Sequence, residues 1–478
     1  MRTRRTYLLC ACALVAMMVA AACGQKPDVY KLGAPAGAGG QAAAEGGAVL
    51  DAAGNPIVGS DSSLGSSASG GSGSSTTTTS GGGSGTDGGG DDGTPGDGPP
   101  GDTPEPGEPT GGNTTGVEDK VIRIGIHAPI TGAAPVPAPS FDKGKDLYWN
   151  WLESQKKSIH GRTVQVFGHN DEFDPSVAVQ ECQEMVEDEK VFLIIGVAGA
   201  DQIARCAQYA NSVGVPYISA GVTETGVNNL ATYFAIWASY KQQAPLLVSY
   251  MVEKLGARGE KNGMVYFNTP GFLDGRAAWE AEMDAAGASV DYMRAVPKNA
   301  GQTDAATVAT DLCQQQIKNV NVLTSPTFFI QLASQANEQC DLQYVGVGLT
   351  MTIDTVAGVA CRNNSSINNA KFLSPFPAYV DSNRFDPNFR KAGGTDDIMF
   401  GLWGMSKILH QMFLEPGRNL TRERFMWHVQ RMGKISTGVL PDVVFSPTDH
   451  FGGSQMHMNR ADCSRNVWVT EIPFFGGF

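Results

Sequence analysis

Positive charge is short in this 478-residue chain: 35 Lys and Arg stand against 48 Asp and Glu, for a net charge of −13. Beyond the first five residues no basic block occurs. That argues against nucleic acid as a partner, because phosphate binding needs clustered cations. Metal-ligand spacings are missing as well. There is no CxxC pair and no HExxH, and the 7 histidines are scattered. No GxSxG elbow and no phosphate loop is present, so the motifs of serine hydrolases and of nucleotide chemistry are absent. After residue 22 no apolar run reaches membrane-spanning length. These absences leave no catalytic residue, no metal and no cofactor to assign, and they point towards binding.

The start of the chain is distinct. Arg2, Arg4 and Arg5 precede an apolar stretch over 7–22, and Ala20, Ala21 and Ala22 stand before Cys23. A basic start, an apolar core and small residues before the cut are the pattern of a secretory signal, here over 1–22. The Cys behind those small residues resembles a bacterial lipobox, with Ala20 where Leu is usual. The resemblance implies cleavage before Cys23 and lipidation of its thiol; an ordinary signal peptide or a short anchor are the alternatives. The stretch over 23–117 is mostly Gly, Ser, Thr, Ala, Asp and Pro. It has too few apolar side chains to offset the entropy of ordering, which predicts a disordered tether. About 85 such residues reach roughly 50 Å root-mean-square. The spacer could serve its length or only its flexibility.

The remainder, 118–478, is long enough for a large core in two lobes. Its centre of organisation is the stretch over 191–226. VFLIIG reads as a strand buried on both faces, the next residues carry a helical pattern through Ile203, Cys206, Ala207 and Ala210, and VPYISAG reads as a second strand. Strand, helix, strand implies parallel pairing. Ligands of open α/β sheets sit outside the carboxyl ends of strands, here 197–201 and 220–225. Both ends are rich in Gly, Ala and Thr, which expose backbone groups and hydroxyls to a small polar ligand. The same alternation runs from 121 to 240 and restarts at 262, which predicts two doubly wound Rossmann-like lobes with a cleft between them. The segment over 244–255 reads as a helix and that over 269–275 as a loop, and the prolines 129, 135, 137 and 139 stiffen the loop after the first strand and forbid helix there.

Of the 9 cysteines, Cys10 and Cys12 belong to the leader and Cys23 to the lipid site. Six remain, an even number in an exported chain, which suggests disulfides, although six allow fifteen pairings. Cys182 and Cys206 fall on consecutive predicted helices, and so do Cys313 and Cys340. Right-handed crossovers set such helices side by side. The expected bonds are therefore 182–206 and 313–340, leaving Cys361 with Cys463; free buried thiols are the alternative.

Several stretches together resemble the type I periplasmic-binding-protein family, in particular the branched-chain-amino-acid-type substrate-binding lipoproteins of ABC transporters. They are IRIGIHAPITG, FDKGKDLYWNWLE with HGRTVQV, NDEFDPSVAVQECQEMVEDEKVFLIIG with GVPYISAGVTE, FNTPGFLDGRAAWEAEMDAAGASV and DDIMFGLWGMSKILHQMF. The resemblance covers about 119–478. It implies lobe 1 over about 118–242 and 372–443, and lobe 2 over about 243–371 and 444–478. A hinge of three crossings would lie near 241–244, 372–376 and 443–447. It also implies a small-molecule ligand captured in the closing cleft, an amino acid, amide or related solute. The partners would be a membrane permease with its ATPase, with the membrane reached through the N-terminal lipid; a sensor that signals to a membrane partner is the alternative. By the family's pattern the ligand-binding positions are Thr131, Ala200, Asp201, Gly221, Val222, Thr223, Tyr240, Phe272 and Gly348. Ala200 stands where the family carries a Ser hydroxyl, and Gly348 near where it carries the acid that meets an ammonium. For Asp201 a helix-capping role competes with ligand contact, and Asp171 with Glu172 reads as loop-shaping rather than as an acid/base pair.

Overall fold

The structure, a computed structural model, describes residues 107–362 and 366–476, all within the compact unit Gly96–Phe478. The leader, Cys23 and most of the tether lie outside the described residues. Among the described residues no helix is long and apolar enough to cross a membrane.

The first sheet contains β1 (Val121–Ala128), β2 (Thr163–Asn170), β3 (Leu193–Gly196), β4 (Tyr217–Ser219) and β5 (Tyr233–Ala235). Their order is β2-β1-β3-β4-β5, with every pairing parallel. The second sheet is built from β6 (Asn262–Phe267), β7 (Tyr292–Val296), β8 (Asn319–Leu323), β9 (Gln343–Val347) and β10 (Lys371–Ser374). It repeats the same winding as β7-β6-β8-β9-β10. A short ribbon pairs β11 (Lys434–Ile435) with β12 (Val443–Val444). The hairpin of β13 (Gln455–Asp462) and β14 (Val467–Gly476) then joins the second sheet antiparallel to β10. Each doubly wound sheet has one switch point, between β1 and β3 and between β6 and β8, where neighbouring connections leave in opposite directions and open a crevice.

The strands form where apolar and β-branched residues run together. All four residues of β3 and all six of β6 are buried, as sheets covered on both faces require. The chain passes between the sheets three times: between β5 and β6, between β10 and the helix Asp397–Leu414, and between β12 and β13. That helix packs on the helix Ala138–Ser154 over the first sheet.

Local starts differ from the sequence reading in three places. The prolines after β1 do not hold off a helix for long, because Pro139 sits near the start of Ala138–Ser154, where its missing N–H costs nothing. The helix read as starting at 244 begins at Tyr240, through a capping box of Ser239 and Gln242. The segment read as a loop over 269–275 is the first turns of the helix Pro270–Ala285, opened by Thr269 and Pro270. Tyr240 and Phe272 therefore stand on helices. A fourth difference concerns the tether. From Gly107 the chain is already laid on the domain: Glu108 is buried, 2.7 Å from Arg424 and 2.8 Å from His428. Asn113 adds to this docking, its N–H donating to Glu423 Oε2 at 2.7 Å and its carbonyl accepting from Arg422 N–H at 2.9 Å, contacts that composition averages away.

The six cysteines pair as 182–206, 313–340 and 361–463, with Cα separations of 6.0, 5.6 and 4.8 Å. The first ties adjacent helices, the second ties the helix Gln302–Gln314 to the chain just beyond the helix Pro326–Asn337, and the third ties the β13–β14 hairpin to the end of the helix Asp354–Ala360.

Candidate functional site

Both switch points face one cavity. Ala134, Phe173, Ala198, Gly199 and Val222 line it from the loops after β1 to β4. Leu323, Thr324, Ser325, Val347, Gly348, Thr350 and Met351 line it from the ends of β8 and β9, while Tyr240 and Phe272 close its side. The lobes leave it narrow, with a free volume of about 30 Å³. The two aromatic rings stack with centroids 5.6 Å apart. No lining residue carries a charge; the polar side chains are Tyr240, Thr324, Ser325 and Thr350. Ser325 is occupied as the N-cap acceptor of Phe328 N–H at 3.2 Å. No base stands beside a nucleophile in this lining.

The polar end of the cavity lies at the helix Ala200–Ser212. Its N-cap is Gly199, and no side chain caps it. Gln202 in that first turn is fully buried, and neither its Oε1 nor its Nε2 has a partner. The Gln202 amide lies beside Gly199 and is not part of the cavity lining. Uncapped first-turn N–H groups favour an acceptor or an anion.

A buried network fixes the lobe 1 loops. His127 Nδ1 lies 2.8 Å from Asp171 Oδ2, and its Nε2 lies 2.6 Å from the Tyr217 hydroxyl. Tyr217 stacks on Tyr233, which donates to Ser219 Oγ at 2.8 Å, and Ser219 Oγ accepts Gly221 N–H at 3.0 Å. Burial pushes both tyrosine hydroxyls well above their ordinary pKa, so they stay protonated donors. At its other end Asp171 Oδ1 accepts Phe173 N–H at 3.0 Å. Two hydrogen-bonded chains, joined by the Tyr217–Tyr233 ring stack, thus position the loops that carry Phe173 and Val222. Gly221 has φ +71°, and a Cβ there would stand 1.9 Å from the Trp237 carbonyl oxygen, so only glycine fits.

The lobes touch through two further clusters. Asp201 Oδ1 accepts Gly271 N–H at 2.9 Å, and its Oδ2 lies 3.6 Å from Lys298 Nζ. Lys298 also donates to the Phe173 carbonyl at 3.0 Å and sits over the Phe173 ring. Burial lowers its pKa, and Asp201 opposes that. In the second cluster Asp274 Oδ2 accepts from Thr223 Oγ1 at 2.7 Å and from Glu224 N–H at 2.8 Å. Glu224 in turn binds Ser239 Oγ and Lys241 Nζ.

Of the nine positions named from the sequence, Val222, Tyr240, Phe272 and Gly348 line the cavity. Ala200 backs it, close against Gly271. Asp201 and Thr223 face the other lobe in the clusters above, and Gly221 holds its loop. Thr131 is exposed and accepts from Asn170 Nδ2 at 2.8 Å, outside the lining. The sequence reading missed Phe173, Leu323, Thr324, Ser325, Val347, Thr350 and Met351. The strand-end rule, applied to β8 and β9 as it was to β3 and β4, would have found most of them. Phe173, in a left-handed turn at φ 60°, gives no such signal.

Comparison with known proteins agrees with this geometry. The family model described as periplasmic binding protein matches residues 121–466. A search of curated proteins finds no match. Among solved structures, a fatty acid ABC transporter substrate-binding protein from Thermomonospora curvata superimposes with a TM-score of 0.64 at 16% identity, over 78% of this chain and 96% of its own. A solute-binding protein of an ABC transporter from R. palustris, in complex with benzoate, gives 0.62 at 15%, over 75% and 97%. A branched chain amino acid ABC transporter protein from Thermus thermophilus with bound valine gives 0.63 at 13%, over 76% and 98%. At these identities the likeness shows the fold.

Proposed function

The chain belongs to the periplasmic binding protein family, and from that premise we propose that it is the extracytoplasmic solute-binding component of an ABC importer, held to the membrane by a lipid on Cys23. The observation that carries this reading is the uncharged cavity between two lobes that also touch through Asp201 and Asp274. A ligand there would contact both lobes at once and stabilise their closed arrangement, the form that a permease would read.

The chemistry of the walls narrows the solute. The nearby carboxylates are already engaged, Asp201 and Asp274 between the lobes and Glu224 with Ser239 and Lys241. A free ammonium would therefore be buried without an acid, at a large cost. A carboxylate or carbonyl, by contrast, would meet the uncapped turn that starts at Gly199. The similar protein named for fatty acid and the one in complex with benzoate support an organic acid or its amide rather than a sugar or a cation. The test is mass spectrometry of small molecules released when the purified protein is denatured, followed by uptake of that molecule in cells with and without the gene. Release of a single organic acid or amide whose uptake depends on the gene is the expected result. Uptake that does not depend on the gene would contradict the importer role.

A further inference from the structure

The lobes meet a third time through a pair of buried acids. Asp397 opens the helix Asp397–Leu414, which packs over the first sheet. Its Oδ2 accepts the backbone N–H of Asp354, and its Oδ1 accepts Ile398 N–H at 2.9 Å. Asp354 is the first residue of the helix Asp354–Ala360, which belongs to the other lobe: that helix packs on β14, and the Cys361–Cys463 bond ties its end to the β13–β14 hairpin. Its own N-cap, Ile353, offers no side-chain acceptor, so a first-lobe carboxylate satisfies its first N–H. The cleft wall lies just upstream, since Thr350 and Met351 line the cavity. The contact therefore fixes one wall of the cleft against the first lobe.

Two acids buried side by side do not both ionise without cost. Burial foremost, and then the Asp354 charge, push the Asp397 carboxyl up to about 7, against the pull of the N–H groups of Asp354 and Ile398. Burial raises Asp354 as well, and its Oδ1 has only a long contact, 3.5 Å from Trp468 N–H. Nearby charges do little to relieve the pair. Asp396 adds a third carboxylate, occupied with Met399 N–H at 2.9 Å and Ser140 Oγ at 3.0 Å. Among the described residues the one cation that acts on the pair is Arg390, through Asp354. Arg390 is itself held by the Ser382 hydroxyl at 2.8 Å and the Tyr379 carbonyl at 3.0 Å.

We infer that the Asp354–Asp397 contact is a proton-operated latch between the lobes, shut on the cleft wall while the pair carries one negative charge and loosened when it carries two. When the lobes part, water reaches both acids and each returns towards its ordinary range, so closing takes up a proton. The contribution of the latch is thus complete below about pH 4, declines as pH rises, and is gone above about pH 7. The inference concerns the lobes and not the ligand, so its failure would leave the binding role standing.

The test is hydrogen exchange of the full chain, with disulfides intact and no ligand added, read by mass spectrometry at pH 5.5 and 8.5 and corrected for the intrinsic pH dependence of exchange. Protection of the segment over 349–361, which holds the Asp354 N–H, should fall about ten- to thirtyfold between the two pH values. The strand β6 serves as the control and should keep its protection. Asp397→Asn keeps an acceptor for the Asp354 N–H without a charge, so its segment should be protected equally at both pH values. The wild-type profile decides the matter even if that variant folds poorly, and Asp354→Asn, which removes the other charge, should shrink the fall. Protection of 349–361 that does not change with pH, a fall shared equally by β6, or a fall as large in Asp397→Asn as in the wild type would overturn the inference.

Discussion

Replacing Asp274 by Ala removes the carboxylate on which the loop over 223–225 rests. Its Oδ2 accepts from the Thr223 hydroxyl at 2.7 Å and the Glu224 N–H at 2.8 Å, both across the cleft. Hydrogen bonds to a charged acceptor contribute about 1.5–3 kcal/mol each. The site is only partly buried, so the low end applies, and water partly replaces the bonds when the cleft opens. A net loss of about 2–3 kcal/mol from the closed form follows, equivalent to roughly a 30- to 160-fold rise in ligand Kd. Thr223→Val removes one of the same bonds and should cost about 1–2 kcal/mol by itself. Because the two residues act on each other, the Thr223→Val change should add almost nothing in the Asp274→Ala background. Titration of the released ligand into the four proteins of the cycle measures this. If the two losses simply add, Thr223 acts on the ligand rather than on Asp274, and the interlobe account of that loop is refuted.

Gly271→Ala should also weaken binding, because its Cβ would stand 2.5 Å from Ala200 Cβ across the cleft. Overpacking of this sort costs about 1–3 kcal/mol, read as a higher Kd with little change in unfolding of the ligand-free protein. Asp397 is fully buried beside Asp354, and burial first, then the neighbouring Asp354 charge, raises its pKa to about 7. A raised acid is favoured protonated in the folded state, so its contribution is complete below about pH 4 and is lost as pH rises through 7. The loss reaches about 4 kcal/mol at most, and Asp397→Asn should recover part of it at pH 8 and little at pH 4.5 in urea titrations. An equal effect at both pH values would contradict the assignment. Removing the Cys182–Cys206 bond should cost roughly 3–4 kcal/mol and removing Cys361–Cys463 roughly 4–5, because the second closes the longer loop, 102 residues against 24. Denaturant midpoints of the two double-alanine variants test the order.

The winding of both sheets was legible because each buried parallel strand is a short run of β-branched residues and each crossover helix has its own apolar face. The disulfides followed from that winding, since neighbouring crossovers carry Cys182 beside Cys206 and Cys313 beside Cys340. The cavity was legible in part. Strand ends can be read from sequence, and Val222 lies on one that was; Gly348 came from the family resemblance. Which residue of a strand end meets the ligand space and which meets the other lobe depends on how two sheets approach each other, and local pattern does not encode that approach. Asp201 and Thr223 show this: both sit on the expected loops, yet both are held by partners about fifty to a hundred residues away, Asp274, Gly271 and Lys298. The helix start at Pro270 was missed because glycines at 271 and 275 read as loop. Those glycines instead let the helix approach Ala200 and Tyr240 closely.

The central claim is that a small organic acid or amide is held between two lobes that close on it. Small-angle X-ray scattering of the stripped protein, with and without the molecule recovered from it, tests this directly, using a form truncated before Gly107 and its full-length counterpart in parallel. The account predicts a smaller radius of gyration on binding, a change that Asp274→Ala diminishes at equal ligand concentration. Saturated binding with an unchanged radius of gyration from an open ligand-free state, or no binding at all, would contradict it.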